Sequence, residues 1–496
     1  MAALILACGG SSSSSPSAPS TVTPTPTVTG PVAESATSYP FLSQTYPAPV
    51  TTNGTTLSAN GYVEDEYFYS GTANVYTWDS TGTVKAPYSG PYTNRMIIFR
   101  PSDTTKFSGK VMLELLNSTS NSDQAPIWNM VSDVLMKNGD IFVGISSKPV
   151  AIASLKTFNA TRYAPLSWAN PVPATLRSST PGWGYAPEAS KPETQDGLVW
   201  DALSQAGTLL KTPTAPNPLS AYSIQKVYVG GQSQSGCLIQ TYINAIQSRA
   251  TLKSGAPVFD GYLQVVGSAV YQINQDDQDD VNETGDPLLV TFSPVPQMRI
   301  LSQSDFSNFG LVNSLPGRRQ DSDSPTNKFR LVEVPGANHG GDTIPLKYIV
   351  RGGYHNLDKW VTNGTKPPYA DRIIVDTSIT DFQYNAVLDT HGNALGGLRT
   401  PWLDVPIATY VPHNPDLVPM FYPFLGSVSY IIAWASGTTT YFDAATNASL
   451  YGTRENYLSR FNAKTDQLVS GAWISAEDAA AIKAAAAADT AHPAFP

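Results

Sequence analysis

Val227-Tyr228-Val229-Gly230-Gly231-Gln232-Ser233-Gln234-Ser235-Gly236 is the stretch on which the reading of this chain turns. Lys226 to Val229 is a short apolar run that predicts a buried strand. It runs into Gly230-Gly231, a serine follows, and helical spacing begins at once over Gln234 to Gln247. Strand, tight turn and helix in that order are the layout of a nucleophile elbow, which pushes a serine side chain out over the end of a sheet. Such a turn crowds backbone segments together, so small residues are needed on both sides. Here they are Gly231 and, after the serine, Ser235 followed by Gly236. Two serines compete. Ser233 has a glycine two places before it and Ser235 has Ser233 there, so position favours Ser233. A helix N-terminus beside it also favours developing negative charge, with the Gln234 N–H as a candidate oxyanion donor. The plainer alternative is an ordinary Ser/Gly-rich turn, since Gly-x-Ser-x-small matches arise by chance.

A serine hydroxyl is a weak nucleophile near neutral pH and needs a base. The chain has five histidines: His339, His355, His391, His413 and His492. His339 lies in Glu333-Val334-Pro335-Gly336-Ala337-Asn338-His339-Gly340-Gly341, a strand end followed by a Gly-rich loop. In a parallel sheet that loop shares an edge with the elbow. His355 falls in a predicted helix, His391 and His413 in an irregular region, and His492 in the tail. An acid is expected after the preceding strand, Met298 to Ser302, where Asp305 stands; Asp321 and Asp323 are rivals. Nucleophile, acid, base is the chain order of α/β-hydrolases. Taken alone, Asp305 also fits a loop or helix-cap role.

Outward from the elbow the chain alternates. Arg95 to Arg100, Lys110 to Leu116, Asp140 to Ile145, Tyr262 to Val266 and Phe329 to Val334 predict strands. Trp128 to Lys137, Asp196 to Lys211 and Ile344 to Val361 predict helices, the last broken near Gly352-Gly353. This alternation predicts an α/β fold, a mostly parallel central sheet with helices on both faces. Residues 146–194, rich in Pro, Ser, Trp and Tyr, predict a long insertion of the kind that forms lids. Within it Trp168, Trp183 and Tyr185 are candidates to line a substrate cleft, with self-packing of the insertion as the alternative. After residue 365 regular elements thin out until Ser475 to Ala487, which opens like a capping box. Residues 365–496 are read as an extension packed on the core, so one domain spans 39–496.

Charged residues make up 14% of the chain, below the roughly 25% of ordinary domains. The net charge of −9 argues against nucleic-acid and anionic-membrane partners. Two cysteines, Cys8 and Cys237, exclude a disulfide framework, and Cys237 is expected buried and inert after the elbow. Ile5-Leu6-Ala7-Cys8 resembles a lipobox, with Cys8 as the lipidated residue. The positive n-region is missing and the apolar stretch is short, so residues 1–8 are read as the remnant of a lipoprotein signal. Residues 9–38, mostly Ser, Pro and Thr, predict a disordered tether. Nothing later approaches the roughly 18 apolar residues of a membrane helix. The expected location is secreted, periplasmic or lipid-anchored at the outer membrane, with that lipid as the only membrane contact.

The chain resembles the bacterial "alpha/beta hydrolase domain" proteins. The similar segments are Arg95 to Asn117, Asp201 to Leu210, Gly231 to Asn244, Phe259 to Tyr262, Val334 to His339 and Gly392 to Pro401 (GNALGGLRTP). The resemblance implies Ser233 as nucleophile and His339 as base. The acid position, often Glu in such proteins, falls on Asp305. The second oxyanion donor falls in the loop after Lys110 to Leu116, at Asn117 or Ser118. The expected activity is hydrolysis of a carboxylic ester, small or polymeric, through an acyl-enzyme and with no cofactor or metal. Asp276 to Asp280 lacks the Gly and closing Glu of a calcium loop and reads as a solvated acidic loop. Two other readings stay open: a non-catalytic surface binding lipoprotein on this fold, and an amidase or acyltransferase with the same triad.

Overall fold

The computed structural model describes residues 21–79, 83–178, 191–267, 271–276, 293–305, 318–376, 386–414, 416–417, 432–433 and 435–495. Its strands are β1 (Thr21–Val22), β2 (Thr27–Thr29), β3 (Tyr62–Trp78), β4 (Val84–Pro101), β5 (Lys110–Leu115), β6 (Ile141–Ile145), β7 (Lys226–Gln232), β8 (Ala250–Thr251), β9 (Gly261–Val265), β10 (Gln297–Ser302), β11 (Ser322–Ser324), β12 (Asn327–Val334), β13 (Ala408–Val411) and β14 (Thr438–Tyr441). The helices that frame the site are α1 (Pro126–Asn138), α2 (Pro149–Phe158), α3 (Val199–Leu210), α4 (Gln234–Ala245) and α5 (Leu346–Asn363).

Ten strands form one sheet in the order β11-β12-β10-β9-β7-β5-β6-β4-β3-β2. From β12 to β6 neighbours run parallel. β4, β3 and β2 add antiparallel on one side and β11 on the other. Parallel strands covered on both faces need apolar side chains throughout, and β6 (IFVGI) is buried at every position. α2, α3 and α4 pack with one face, and α1 and α5 with the other. Glu114 of β5 pairs with Gly230, so β7 runs on past β5 and carries Gly231-Gln232 to the carboxyl edge of the sheet.

Several expectations are corrected. Residues 21–38 are not tether: Thr21–Val22 pairs with β8 and Thr27–Thr29 with β3. Residues 149–158 of the supposed insertion are α2, which buries Ala151, Ile152 and Leu155. α5 runs unbroken through Gly352-Gly353. The two glycines are there for contact: a Cβ on Gly352 would lie 1.8 Å from the Trp473 carbonyl oxygen, and one on Gly353 2.6 Å from Ile300. β3 escaped prediction because its inward row includes the fully buried Glu66, which breaks the apolar alternation. The C-terminal region holds more helix than expected, over Ala444–Tyr451, Arg454–Ser470 and Ala476–Ala488. In Arg454–Ser470 only Tyr457, Phe461, Thr465 and Leu468 are buried, too thin a stripe to stand out among polar neighbours. Tyr451, Tyr457, Phe461 and Leu468 join the same core as α1 and α5, so this region packs on the sheet body.

Candidate active site

The turn between β7 and α4 forces Ser233 into φ 56°, ψ −122°. A non-glycine residue in that region stores about 1–3 kcal/mol of strain and holds only where neighbours impose it. The neighbours here are close. A Cβ on Gly231 would sit 2.7 Å from the Ser235 backbone, and one on Gly236 3.1 Å from the Gly231 carbonyl. Gly231 and Gly236 are therefore the small pair the turn requires. Ser233 N–H donates to Val265 O at 2.8 Å, tying the turn to β9.

The Ser233 hydroxyl lies 2.7 Å from His339 Nε2. His339 Nδ1 lies 2.6 Å from Asp305 Oδ1. With its Nδ1 proton directed at that carboxylate, the imidazole leaves Nε2 to accept the serine proton. Asp305 is buried, and its other oxygen, Oδ2, accepts from Ser302 N–H at 2.8 Å and Ser302 Oγ at 2.6 Å. The short helix Gln303–Asp305 is bound in turn to the histidine loop. Gln303 N–H donates to Ala337 O, and Gly336 N–H to Gln303 Oε1. Asn338 braces the same loop by accepting from the N–H groups of Asp342 and Thr343 and donating to Ala435 O. The Gly392 to Pro401 block backs the strand before it, since Leu398 N–H donates to Glu333 O.

The other candidates separate by place. Ser235 is buried and donates to Leu116 O at 3.0 Å, facing away from any base. Asp321 and Asp323 pair with Arg372 and Arg330 near β11. His391 lies against Phe442 and His492 against Tyr441. His355 is on α5, where burial lowers its pKa. His413 is buried in the extension. Gln234 opens α4, so its N–H is one of the helix's unpaired first donors. Asn117 is corrected as a donor: its N–H is taken by Gln124 O and its Nδ2 by Gln232 O at 2.8 Å. That second bond clamps the loop to the elbow. Among the described residues the Ser118 N–H has no acceptor, while its hydroxyl meets Ser147 Oγ at 3.0 Å. Trp168 is corrected too. It is 2% exposed and belongs to the apolar core, because its ring has turned inward. Asp276, expected in a solvated acidic loop, is half-buried and accepts from Gln195 Nε2 and Ser178 N–H, stitching the insertion down. Trp183, Tyr185, Cys8 and Asp277 to Asp280 lie outside the described residues. Cys237 is buried just past the elbow.

Sequence reasoning missed Lys148, Asn338 and Asp123. Lys148 ends the loop after β6, and burial pushes it down to about 8, with Asp196 pulling the other way. The only signal for Asn338 and Asp123 was the position of each beside a candidate loop.

A sheet of this order, with a strained serine, a histidine and an aspartate meeting at its carboxyl edge, defines an α/β hydrolase. A model of the family described as "Alpha/beta hydrolase domain" matches residues 28–484, and the chain belongs to that family. A putative dienelactone hydrolase from Klebsiella pneumoniae is 9% identical, with 60% of this chain and 99% of that one covered and a TM-score of 0.32. A thermostable esterase from Pseudomonas putida is 11% identical, covering 62% and 85% with a TM-score of 0.34. The poly(3-hydroxybutyrate) depolymerase LpqC from Bordetella parapertussis is 11% identical, covering 60% and 92% with a TM-score of 0.30. Likeness at this level says nothing of substrate. No curated protein matches the chain.

Proposed function

We propose that the chain is a serine esterase that cleaves a carboxylic ester through an acyl-enzyme. The observation that carries this is the relay of 2.7 Å from Ser233 to His339 and 2.6 Å from His339 to Asp305. Ser233 Oγ attacks the ester carbonyl carbon as its proton passes to His339 Nε2. The carbonyl oxygen becomes an oxyanion held by the N–H groups of Gln234 and Ser118. Collapse breaks the bond to the alkoxide, which takes the proton from Nε2 and leaves. Water, deprotonated by the same nitrogen, then attacks the acyl carbon; the acyl–Oγ bond breaks, Ser233 takes the proton back from Nε2 and the carboxylic acid leaves. Asp305 keeps the imidazole in the working tautomer and supports its transient positive charge. This chemistry draws on side chains and backbone alone. The apolar run ending at Cys8 supports a lipid-anchored, exported form of the protein.

The test is labelling with a fluorophosphonate, then turnover of esters of graded acyl length. Wild type is expected to label and hydrolyse, and Ser233→Ala to do neither. A folded wild type that neither labels nor turns over any ester ends the proposal and leaves a binding protein on a hydrolase fold. Labelling with turnover of amides only would move the activity to an amidase.

A further inference from the structure

The turn between β5 and α1 reads Asn117-Ser118-Thr119-Ser120-Asn121-Ser122-Asp123, without one apolar side chain. The buried Leu116 and Ala125 anchor its two ends in the core, but between them only polar contacts hold the backbone that carries the Ser118 N–H. Asn117 clamps one end to the elbow through Gln232. Asp123 holds the other end, and its side chain is fully buried. Oδ2 accepts from Arg95 Nη1 at 2.9 Å and from Ser146 Oγ at 2.6 Å.

Arg95 belongs to a larger buried group. Its Nε donates to Glu66 Oε1 at 2.5 Å and its Nη2 to the Phe41 carbonyl. Glu66 also accepts from Arg162 Nε at 2.6 Å and from Tyr163 OH at 3.0 Å. Arg162 in turn reaches the carbonyls of Ala33 and Ser38. Two carboxylates and two guanidiniums balance, so no charge is left uncompensated. Yet apolar side chains of similar size usually hold a core as well as a buried ion cluster does. Stability is thus a poor account of four buried charges beside the catalytic edge. A polar turn that must be held in one position is a better one.

We propose that Asp123 is a positioning residue for the oxyanion pocket: its buried pair with Arg95 holds the 117–124 turn so that the Ser118 N–H points where the oxyanion forms. The segment from Ala33 to Phe41, bonded to the same guanidiniums, is part of that support. This rests on the acyl-transfer reading of Ser233. It adds a role for residues that touch neither substrate nor reacting atoms.

The test compares wild type, Asp123→Asn and Ser146→Ala, with active sites counted by fluorophosphonate titration. A misplaced donor should lower kcat per titrated site by about 10–100-fold in Asp123→Asn and about 3–10-fold in Ser146→Ala, with KM within about twofold. Affinity for a boronic acid, which forms a tetrahedral adduct on Ser233, should fall in step with kcat. A merely structural role would reduce the count of active sites and the melting temperature and leave kcat per site unchanged. That result in Asp123→Asn overturns the proposal. If Asp123→Asn does not fold, full kcat per site in Ser146→Ala overturns it. Wild type that fails to label takes down the reading of the site as well, which separates the two failures.

Discussion

Asn338 Nδ2 donates to the carbonyl oxygen of Ala435 at 2.6 Å, joining the loop that carries His339 to the C-terminal extension. Gly340 N–H reaches the same oxygen at 3.1 Å. The extension thus sets the height of the histidine over the sheet edge. Asn338→Ala removes that bond and the two loop N–H bonds that Asn338 accepts. Ester turnover is expected to fall by about 10²-fold through misplacement of the base. Stability should drop by about 1–3 kcal/mol, because buried groups lose partners. Steady-state kinetics and urea unfolding check both; full turnover would separate the extension from catalysis.

The two elbow serines give a sharp contrast. Ser233→Ala should reduce turnover by several orders of magnitude, to about the 10³–10⁴-fold over water that oxyanion donors and binding retain. Ser235→Ala loses only its bond to Leu116 O, an oxygen that Ser147 also reaches. It should keep fluorophosphonate labelling and cost about 1 kcal/mol of stability. Loss of labelling in Ser235→Ala with labelling kept in Ser233→Ala would reverse the assignment.

Asp305→Asn keeps the size of the side chain and loses its charge. The amide cannot favour the Nδ1–H tautomer as the carboxylate does, so turnover should fall by about 10³–10⁴-fold. Titratable sites should remain, since the serine and its strained turn are untouched. Near wild-type turnover would point to another acid.

Glu114 of β5 accepts from the N–H groups of Ile127 and Trp128 at the start of α1. Burial pushes its carboxyl up to about 8 from an ordinary 4.5, with the two N–H donors pulling it back. Between those values the folded chain keeps a proton that the unfolded chain has released. Stability should therefore fall as pH rises from about 4.5 to about 8, by at most about 1.4 kcal/mol per unit, and level off above. Glu114→Gln should flatten that slope, whatever constant offset it adds. Unfolding free energies from pH 5 to 9 measure it, and an unchanged slope would assign the dependence to other groups.

Trp168 is expected to act on stability and not on substrate. Trp168→Ala opens a cavity in the core shared by α3 and α4 and should cost about 3–5 kcal/mol. In material that still folds, KM should stay at the wild-type value. A raised KM at unchanged stability would return the ring to a substrate cleft.

The elbow, the order of serine, acid and histidine, and most parallel strands were legible in the sequence because each is a local pattern. Apolar runs of five or six residues, glycines flanking one turn and a Gly-rich loop after one strand carry their meaning within a few positions. β3 was not legible, and β4 only from Arg95 onward, because charges such as Glu66 and Arg95 stand among inward-facing residues, where a charge belongs only if a partner arrives. That partner is 28 or 29 residues away for Arg95 and 96 for the Glu66–Arg162 bond, and nothing local announces it. The same holds for Asn117, whose donors are spent on Gln232 and Gln124, and for Trp168, whose ring found core and not cleft. Folding settles such matters through contacts between distant residues: a side chain's identity states what it can bond, and only its neighbours in space state what it has bonded.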